Sequence, residues 1–452
     1  MSCLNQLASI QSLFKLNLTP YQVLVSGFAG LILAGALLLA TPWAAQSGEG
    51  TNFLDALFTA TSAVCVTGLV VVDTGTHYSL FGQTVILLLI QFGGLGVMTV
   101  STLLAVMLGK KIHLRERLLI QEATNQIELS GVVRLTLYII KVTLLVEFIG
   151  GTNLAMRWYQ DFGAKGIYYG YWHGVSAFCN AGFDLFGDFR SITSYVADPA
   201  VVFTIAGLIV VGGIGFTVIA DVWNQRSFRQ LSLHSKLTVS VSGLLIFLGM
   251  MLIIVFESGG KVFNELSPAA KVLAGFFQSV TTRTAGFSTV DIGSMREGTL
   301  LIIILLMYIG ASPSSTGGGI KTTTAGIIAA SVFGFIRGKK EVELFHRHVV
   351  QASITKAVTI AVISAGLIIA VTLAMTLTEQ APLLNILFEV TSAFGTVGLS
   401  TGITPNLSTA GKMMIIFTMF AGRVGSLTLV LSLALKKQNG KLLYPEGKVI
   451  IG

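Results

Sequence analysis

Long and short apolar stretches alternate along this chain in an order that repeats. A long apolar span lies at 21–42 and a shorter one with polar breaks at 53–65; a glycine-bearing phrase, a polar link and a second long span at 81–109 follow. The succession recurs three more times, with first spans near 132–158, 237–257 and 353–378 and second spans near 199–222, 298–337 and 409–435. A helix needs about 20 apolar residues to cross a bilayer, and the long spans have them. The middle stretches have only about 12–15 before the glycine. They are too short to cross and return, and too apolar to lie in water, which predicts half-helices that enter the membrane and turn back. The predicted fold is an all-α polytopic membrane protein. It has four similar repeats, each with two full spans and one re-entrant half-helix, which makes eight full spans and four half-helices. The repeats are 1–125, 126–230, 231–350 and 351–452, the last with the C-terminal tail.

The phrases after the half-helices are nearly the same: "SAVCVTGL" (62–69), "SAFCNAGF" (176–183), "VTTRTAGF" (280–287) and "SAFGTVGL" (392–399). Each has a glycine six residues after its first letter, and Gly68, Gly182, Gly286 and Gly398 are 114, 104 and 112 residues apart. That period is too long for a solenoid and suits four copies of a larger unit. Non-helical backbone at membrane depth must be buried in protein or line a watery path. Without a Cβ, glycine adopts conformations closed to other residues, so carbonyls can turn inward and replace the water around a cation. Each half-helix also aims the negative end of its dipole at the centre. The oxygens expected to bind belong to Val66, Thr67 and Gly68; Asn180, Ala181 and Gly182; Thr284, Ala285 and Gly286; and Thr396, Val397 and Gly398. Their side chains differ, so the main chain is expected to bind the ion. Glycines serving only close helix packing are the alternative, and fourfold repetition at matching places argues against it.

The second span of the third repeat is interrupted by "GASPSSTGGGIKTTT" (310–324). Gly310, Ala311, Ser312, Pro313, Ser314, Ser315, Thr316, Gly317, Gly318 and Gly319 cannot make a stable helix. At membrane depth this segment is expected to line the cavity as a loop that blocks the path. A phosphate-loop reading of "GGGIKT" fails, because Ile320 separates Gly319 from Lys321 and no strand precedes it. "QFGGLG" and "GGIGF" match dinucleotide fingerprints only loosely and are read as close helix packing around the pore.

Composition and charge sharpen this picture. The 452 residues are 53% hydrophobic and 11% charged, with mean hydropathy +0.79, against roughly 25% charged in soluble domains. The opening residues lack a small-residue cleavage site, so the first span is expected to be retained. The net charge of +8 is concentrated in four clusters. They are Lys110, Lys111, Arg115 and Arg117; Arg226, Arg229 and Lys236; Arg337, Lys339, Lys340 and Arg347; and Lys436, Lys437, Lys441 and Lys448. One cluster follows each repeat, and positive loops stay in the cytoplasm. Both termini and the three inter-repeat loops are therefore expected inside. Three full spans per repeat would put alternate clusters outside. The basic balance reflects topology, and no nucleic-acid partner is expected. Cys3, Cys65 and Cys179 have no metal-ligand spacing and read as small apolar fillers. Glu147, His173 and Asp221 are scattered, which excludes a multipass membrane enzyme as more than a remote alternative.

Taken together, "FTATSAVCVTGL", "FGQTVILLLIQFGGLGVMT", "SAFCNAGF", "GGIGFTV", "TTRTAGF", "GSMREGT", "SAFGTVGL" and "YPEGKV" resemble the Trk/Ktr/HKT superfamily of potassium transporters. The resemblance is greatest to the membrane subunit of the Ktr system, the KtrB and KtrD type. It implies four membrane–pore–membrane repeats in pseudo-fourfold arrangement, a selectivity filter with one glycine per repeat, potassium as substrate, no covalent cofactor, and a bacterial plasma-membrane location. In the plant relatives serine in place of the first glycine goes with sodium preference, so Gly68 implies potassium. A sodium or ammonium transporter on the same scaffold is the alternative. The family has an intramembrane gating loop at 310–319, from whose pattern this chain departs in Pro313 and the triple glycine. Similarity also suggests that Arg423 faces the pore below the filter as a barrier to cations. It further implies a homodimer on a cytosolic ring of nucleotide-binding RCK subunits, transport linked to sodium, and a C-terminus tucked into the dimer interface. The amphipathic stretch 110–129 either docks a partner or rests on anionic lipid headgroups. Arg283 stands where the other repeats have Cys65, Cys179 and Gly395. A guanidinium facing a cation filter is electrostatically wrong. Arg283 is therefore expected to point behind the filter and support it by holding carbonyls or a carboxylate, Asp291 or Glu389.

Overall fold

The computed structural model describes residues 20–96, 132–339, 341–425 and 428. The stretch 110–129, the C-terminal tail and Cys3 lie outside the described residues. The four first spans are α1 (Pro20–Leu39), α4 (Val132–Phe162), α8 (Leu233–Glu257) and α12 (Gln351–Met375). All are apolar and long enough to cross a membrane. The short stretches form α2 (Phe53–Val64), α5 (Ala164–Phe178), α9 (Pro268–Thr281) and α13 (Leu383–Gly395). The second spans begin with α3 (Leu80–Leu95), α6 (Pro199–Ile214), α10 (Glu297–Tyr308) and α14 (Thr409–Val424). Two further helices continue broken second spans, α7 (Phe216–Gln225) and α11 (Thr322–Ile336). The only strand pair among the described residues is a small hairpin, Glu343–Leu344 with Arg347–His348.

Local chemistry sets several of these boundaries. Ser79, Asp198 and Ser408 cap α3, α6 and α14 through their side-chain oxygens, and Pro199 occupies the first turn of α6. Asn52 and Ser267 do the same for α2 and α9. The first spans turn apolar side chains outward: Leu33 and Leu37, Leu244 and Phe247, Val362 and Leu373 are exposed on the protein surface. In a membrane that surface meets lipid. The half-helices are the opposite, with every residue from Phe58 to Val64 buried, as is every residue from Phe388 to Gly395.

The helices close into a ring. Each half-helix pairs with its own first span, α1 with α2, α4 with α5, α8 with α9 and α12 with α13. Each second span then packs on the half-helix of the next repeat, α3 on α5, α6 on α9, α10 on α13, and α14 back on α2. The cycle closes only because four copies are present, which is the pseudo-fourfold arrangement the sequence predicts.

The second spans differ from the continuous helices expected at 199–222 and elsewhere. α3, α6 and α14 all stop at a glycine with left-handed backbone, Gly96 (φ 84), Gly215 (φ 99) and Gly425 (φ 95). After Gly215 the chain resumes as α7, bent by 95° from α6. "GGIGF" thus carries two roles. Gly212 and Gly213 do pack closely, since a Cβ on Gly212 would overlap the Phe178 carbonyl oxygen and one on Gly213 would lie 3.2 Å from Asn180. Gly215 breaks the helix, because its φ is accessible at little cost only to glycine.

The close packing at Gly212 sets a stability test. Gly212→Ala forces a methyl group onto backbone that cannot move aside, and overpacking of this kind costs roughly 1–3 kcal/mol. We expect its melting temperature in detergent to fall by several degrees. Gly30→Ala and Gly366→Ala, with nothing within 4 Å of the added atom, should melt like the parent.

Candidate functional site

The half-helices end on the phrases that the sequence marks. Two residues before each glycine the backbone is left-handed, at Val66 (φ 57), Asn180 (φ 60), Thr284 (φ 72) and Thr396 (φ 50). The glycines are left-handed as well, Gly68 (φ 94), Gly182 (φ 71), Gly286 (φ 78) and Gly398 (φ 90). The residues between, Thr67, Ala181, Ala285 and Val397, are not. Successive carbonyls of an ordinary extended chain point to opposite sides. Alternating the sign of φ turns them toward the same side. Three of the four leading residues are β-branched, for which positive φ is a real outlier. Backbone strain repeated at four matching places belongs to a site.

The four turns converge. A Cβ on Gly68 would lie 2.5 Å from the Ala181 oxygen, one on Gly182 2.7 Å from the Ala285 oxygen, and one on Gly286 2.7 Å from the Val397 oxygen. One on Gly398 would overlap the Thr67 oxygen, which completes the circle. Each glycine therefore abuts the carbonyl that precedes the glycine of the next repeat. The space one side chain would fill is taken by backbone oxygen.

A hydroxyl near the start of each phrase has a use that sequence reasoning does not find. Ser62 Oγ accepts from Gly68 N at 3.0 Å, and Ser392 Oγ accepts from Gly398 N at 3.1 Å. Ser176 Oγ instead donates to Phe183 O at 2.8 Å, and in the third repeat Thr281 Oγ1 donates to Phe287 O at 2.6 Å. A hydroxyl in the last turn or two of each half-helix thus ties down its own turn. Glu389, buried in α13, does the same further out. It accepts from Ser400 Oγ at 2.6 Å, Thr404 Oγ1 at 2.8 Å and Thr401 N at 2.9 Å.

Arg283 is buried, and its Nη1 donates to Ser242 O of α8 at 3.4 Å. Of the partners expected for it, the structure supplies the carbonyl. Asp291 is engaged by Gly293 N and Ser294 Oγ, and Glu389 by Ser400, Thr401 and Thr404. The choice of carbonyl rather than carboxylate follows from position: α8 runs directly behind α9.

One side of the ring opens into a cavity of about 420 Å³, bounded by the four glycines and by Asp73, Asp184 and Asp291. Asp73 caps a turn through Thr76 and also accepts from Phe189 N at 2.9 Å. Burial pushes the Asp184 carboxyl up to about 7, against the Phe186 amide, which lowers it, and with help from the Asp73 charge.

The other side is closed by the segment between α10 and α11. Ile309 and Ile320 pair across its neck. Ser312 N donates to Gly213 O at 3.0 Å and Thr316 N to Gly212 O at 3.2 Å. Phe216 N donates to Ser314 O at 2.9 Å, so the loop satisfies backbone freed by the break at Gly215. Arg423, in the last turn of α14, donates to Thr316 O of this loop and to Gly93 O and Gly94 O of α3. Lys321, whose place in the sequence serves only to reject a phosphate loop, donates to Gly317 O at 2.8 Å. Two basic side chains therefore sit on the closed side of the ring, while three aspartates line the open one. Among the described residues no cluster of side chains could hold a metal ion in the manner of a resident cofactor.

A membrane ring of backbone oxygens, acidic at one mouth and basic below, defines a cation transporter. The chain belongs to the family "TrkH: Cation transport protein", whose profile matches residues 17–443. It is a transporter and not an enzyme. The Ktr system potassium uptake protein B of Bacillus subtilis (strain 168) is 46% identical over 96% of this chain and 97% of its own length. The potassium/sodium uptake protein NtpJ of Enterococcus hirae is 40% identical over 96% of this chain and 98% of its own. Among solved structures, the potassium transporter TrkH from Vibrio parahaemolyticus shares the fold, with TM-score 0.71 and 16% identity over 92% of this chain and 84% of that one.

The ring ties and the acidic mouth are each open to test. Ser62→Ala and Ser392→Ala each leave a buried ring amide without its acceptor, a loss of roughly 1–3 kcal/mol. Ser176→Ala leaves only a carbonyl short of one donor, which is cheaper. Rubidium uptake should fall severalfold in the first two and less in the third. Asp184 is charged above pH 7 and protonated below it, so acidification removes one negative charge from the open mouth. Uptake at low salt should drop about twofold between pH 8 and pH 6, and Asp184→Asn should flatten the profile at its lower level.

Proposed function

We propose that this chain is the translocating subunit of a potassium uptake system and that K⁺ passes through the glycine ring. Carbonyls of Val66, Thr67 and Gly68 and of their counterparts at 180–182, 284–286 and 396–398 replace the hydration shell of the ion. The observation that carries this reading is the mutual contact of the four glycines, each set against the oxygen of its neighbour. Three acidic side chains concentrate cations at the outer mouth. The segment 310–319 gates the inner side, held by Arg423, whose charge adds a barrier to cations. Arg283 supports the filter of the third repeat from behind.

The basic clusters after each repeat support a bacterial plasma-membrane protein with both termini cytoplasmic, repeats dividing near 125, 230 and 350. The name "Ktr system" carried by the 46%-identical relative supports a multi-component assembly. In our reading this is a homodimer on a cytosolic nucleotide-binding RCK ring, with sodium as a coupling or activating ion. A second reading has sodium passing as well as potassium, and the printed name of the Enterococcus hirae relative favours keeping it.

Rubidium uptake into vesicles, competed by sodium and by lithium, separates the two. Rubidium uptake that sodium does not displace supports the first, and equal competition the second. Gly286→Ser sets a side chain 2.7 Å from a ring oxygen and should reduce rubidium uptake more than tenfold. Gly68→Ser should reduce it as well and raise the sodium-to-rubidium ratio. Unchanged uptake in both variants would remove the ring from the pathway.

A further inference from the structure

We propose that the side chains of Asn180, Thr284 and Thr396 form a socket that latches the 310–321 loop in its closed position. The proposal rests on reading that loop as the gate. The side chains two residues before the filter glycines differ from repeat to repeat, and their diversity argues that they do not bind the ion. It does not make them idle. Thr316 Oγ1 lies 3.2 Å from Asn180 Oδ1 and 3.3 Å from Phe178 O, and its one hydrogen is shared between these two acceptors. Asn180 Nδ2 in turn donates to Thr284 Oγ1 at 3.3 Å. Gly318 N donates to Thr396 Oγ1 at 3.0 Å.

The fit is steric as well as polar. A Cβ on Gly317 would overlap Thr284 Oγ1, and one on Gly318 would lie 2.5 Å from Thr396 Oγ1. Thr316, Asn180, Thr284 and Thr396 are all 0% exposed. The triple glycine therefore lets the loop lie flat on three hydroxyl or amide groups of the filter. The fourth quadrant belongs to Val66, which offers no hydrogen bond. The latch is three-sided, and its apolar side marks where the loop is held least.

Two of these contacts, Gly318 N to Thr396 Oγ1 and Thr316 Oγ1 to Asn180 Oδ1, are buried hydrogen bonds between loop and socket, and one such bond is worth roughly a fivefold shift in a two-state equilibrium. The socket is thus a brake that single substitutions loosen. Val66 shows that valine fits the same left-handed position in the first repeat, so Thr396→Val removes the acceptor without a new backbone demand. Thr316→Val removes the donor from the loop side and leaves the filter residues intact.

The test measures resting rubidium flux through full-length protein in vesicles. The panel is the parent, Thr396→Val, Thr396→Ser, Thr316→Val, a variant lacking residues 313–317, and that deletion combined with Thr396→Val. We expect the shortened loop to raise flux, and Thr396→Val and Thr316→Val each to raise it roughly fivefold. Thr396→Ser, which keeps the hydroxyl, should return it toward the parent level. Thr396→Val should add nothing in the shortened background. General damage to the fold lowers flux, so a gain reports release of a brake. If the shortened loop raises flux while both valine variants leave it unchanged or lower it, the socket is wrong and the gate stands. If Thr396→Val adds its full effect to the shortened loop, the socket is also wrong. If the shortened loop raises nothing, the gating reading fails, and the socket with it. Should Thr396→Val not fold, Thr316→Val decides between the same outcomes.

Discussion

Every amide and carbonyl at membrane depth must find its partner inside the protein, and this fold is organised around a ring where the carbonyls of four turns are set against the glycines of their neighbours. Around the ring, half-helix ends are tied by Ser62, Ser176, Thr281 and Ser392. The carbonyls that remain are directed by the alternating sign of φ at four matching turns. Removing any one of the four repeats would leave a half-helix without the second span that covers it. The fourfold cycle is thus a requirement of backbone chemistry as much as of symmetry.

The same constraint explains the broken second spans. A helix that stops at Gly96, Gly215 or Gly425 frees carbonyls and amides beneath the ring. The loop between α10 and α11 takes up several of them, through Gly212 O, Gly213 O and Phe216 N. Gly319 N reaches Gly422 O at 3.4 Å, and Arg423 spans Thr316 O, Gly93 O and Gly94 O. The third repeat is the odd one because its backbone fills what the other three leave open. The seating of the loop and the stability of this half of the fold are one set of hydrogen bonds, so moving the loop must cost the bonds that hold that half together.

Much of this is legible in the sequence, and what is not has physical causes. The glycine phrases stand out because close approach of backbone to backbone tolerates no other residue, so all four copies keep the glycine. The half-helices are legible from length against the thickness of a bilayer. The break at Gly215 is hidden because close packing and left-handed backbone call for the same residue; "GGIGF" satisfies both. That Arg283 turns away from the glycine ring is an electrostatic expectation, but carbonyl and carboxylate partners are separated only by knowing that α8 lies behind α9. The use of Ser62 and Ser392 stays hidden because serine six residues before a glycine has no signature outside the turn it makes.

The most instructive case is Asn180. Variation among Val66, Asn180, Thr284 and Thr396 is a sound argument that side chains do not coordinate the ion, since a symmetric site needs similar ligands. Asymmetry has its own value where the partner is itself asymmetric. One loop, entering from one repeat, meets four quadrants, and only a set of unlike side chains can hold its hydroxyl at one point and its amide at another. The difference among repeats that weakens the case for side-chain coordination is therefore the feature a single asymmetric loop demands of the four turns it lies against. It also explains how the four-copy design keeps a symmetric glycine ring while the face against the loop is not symmetric.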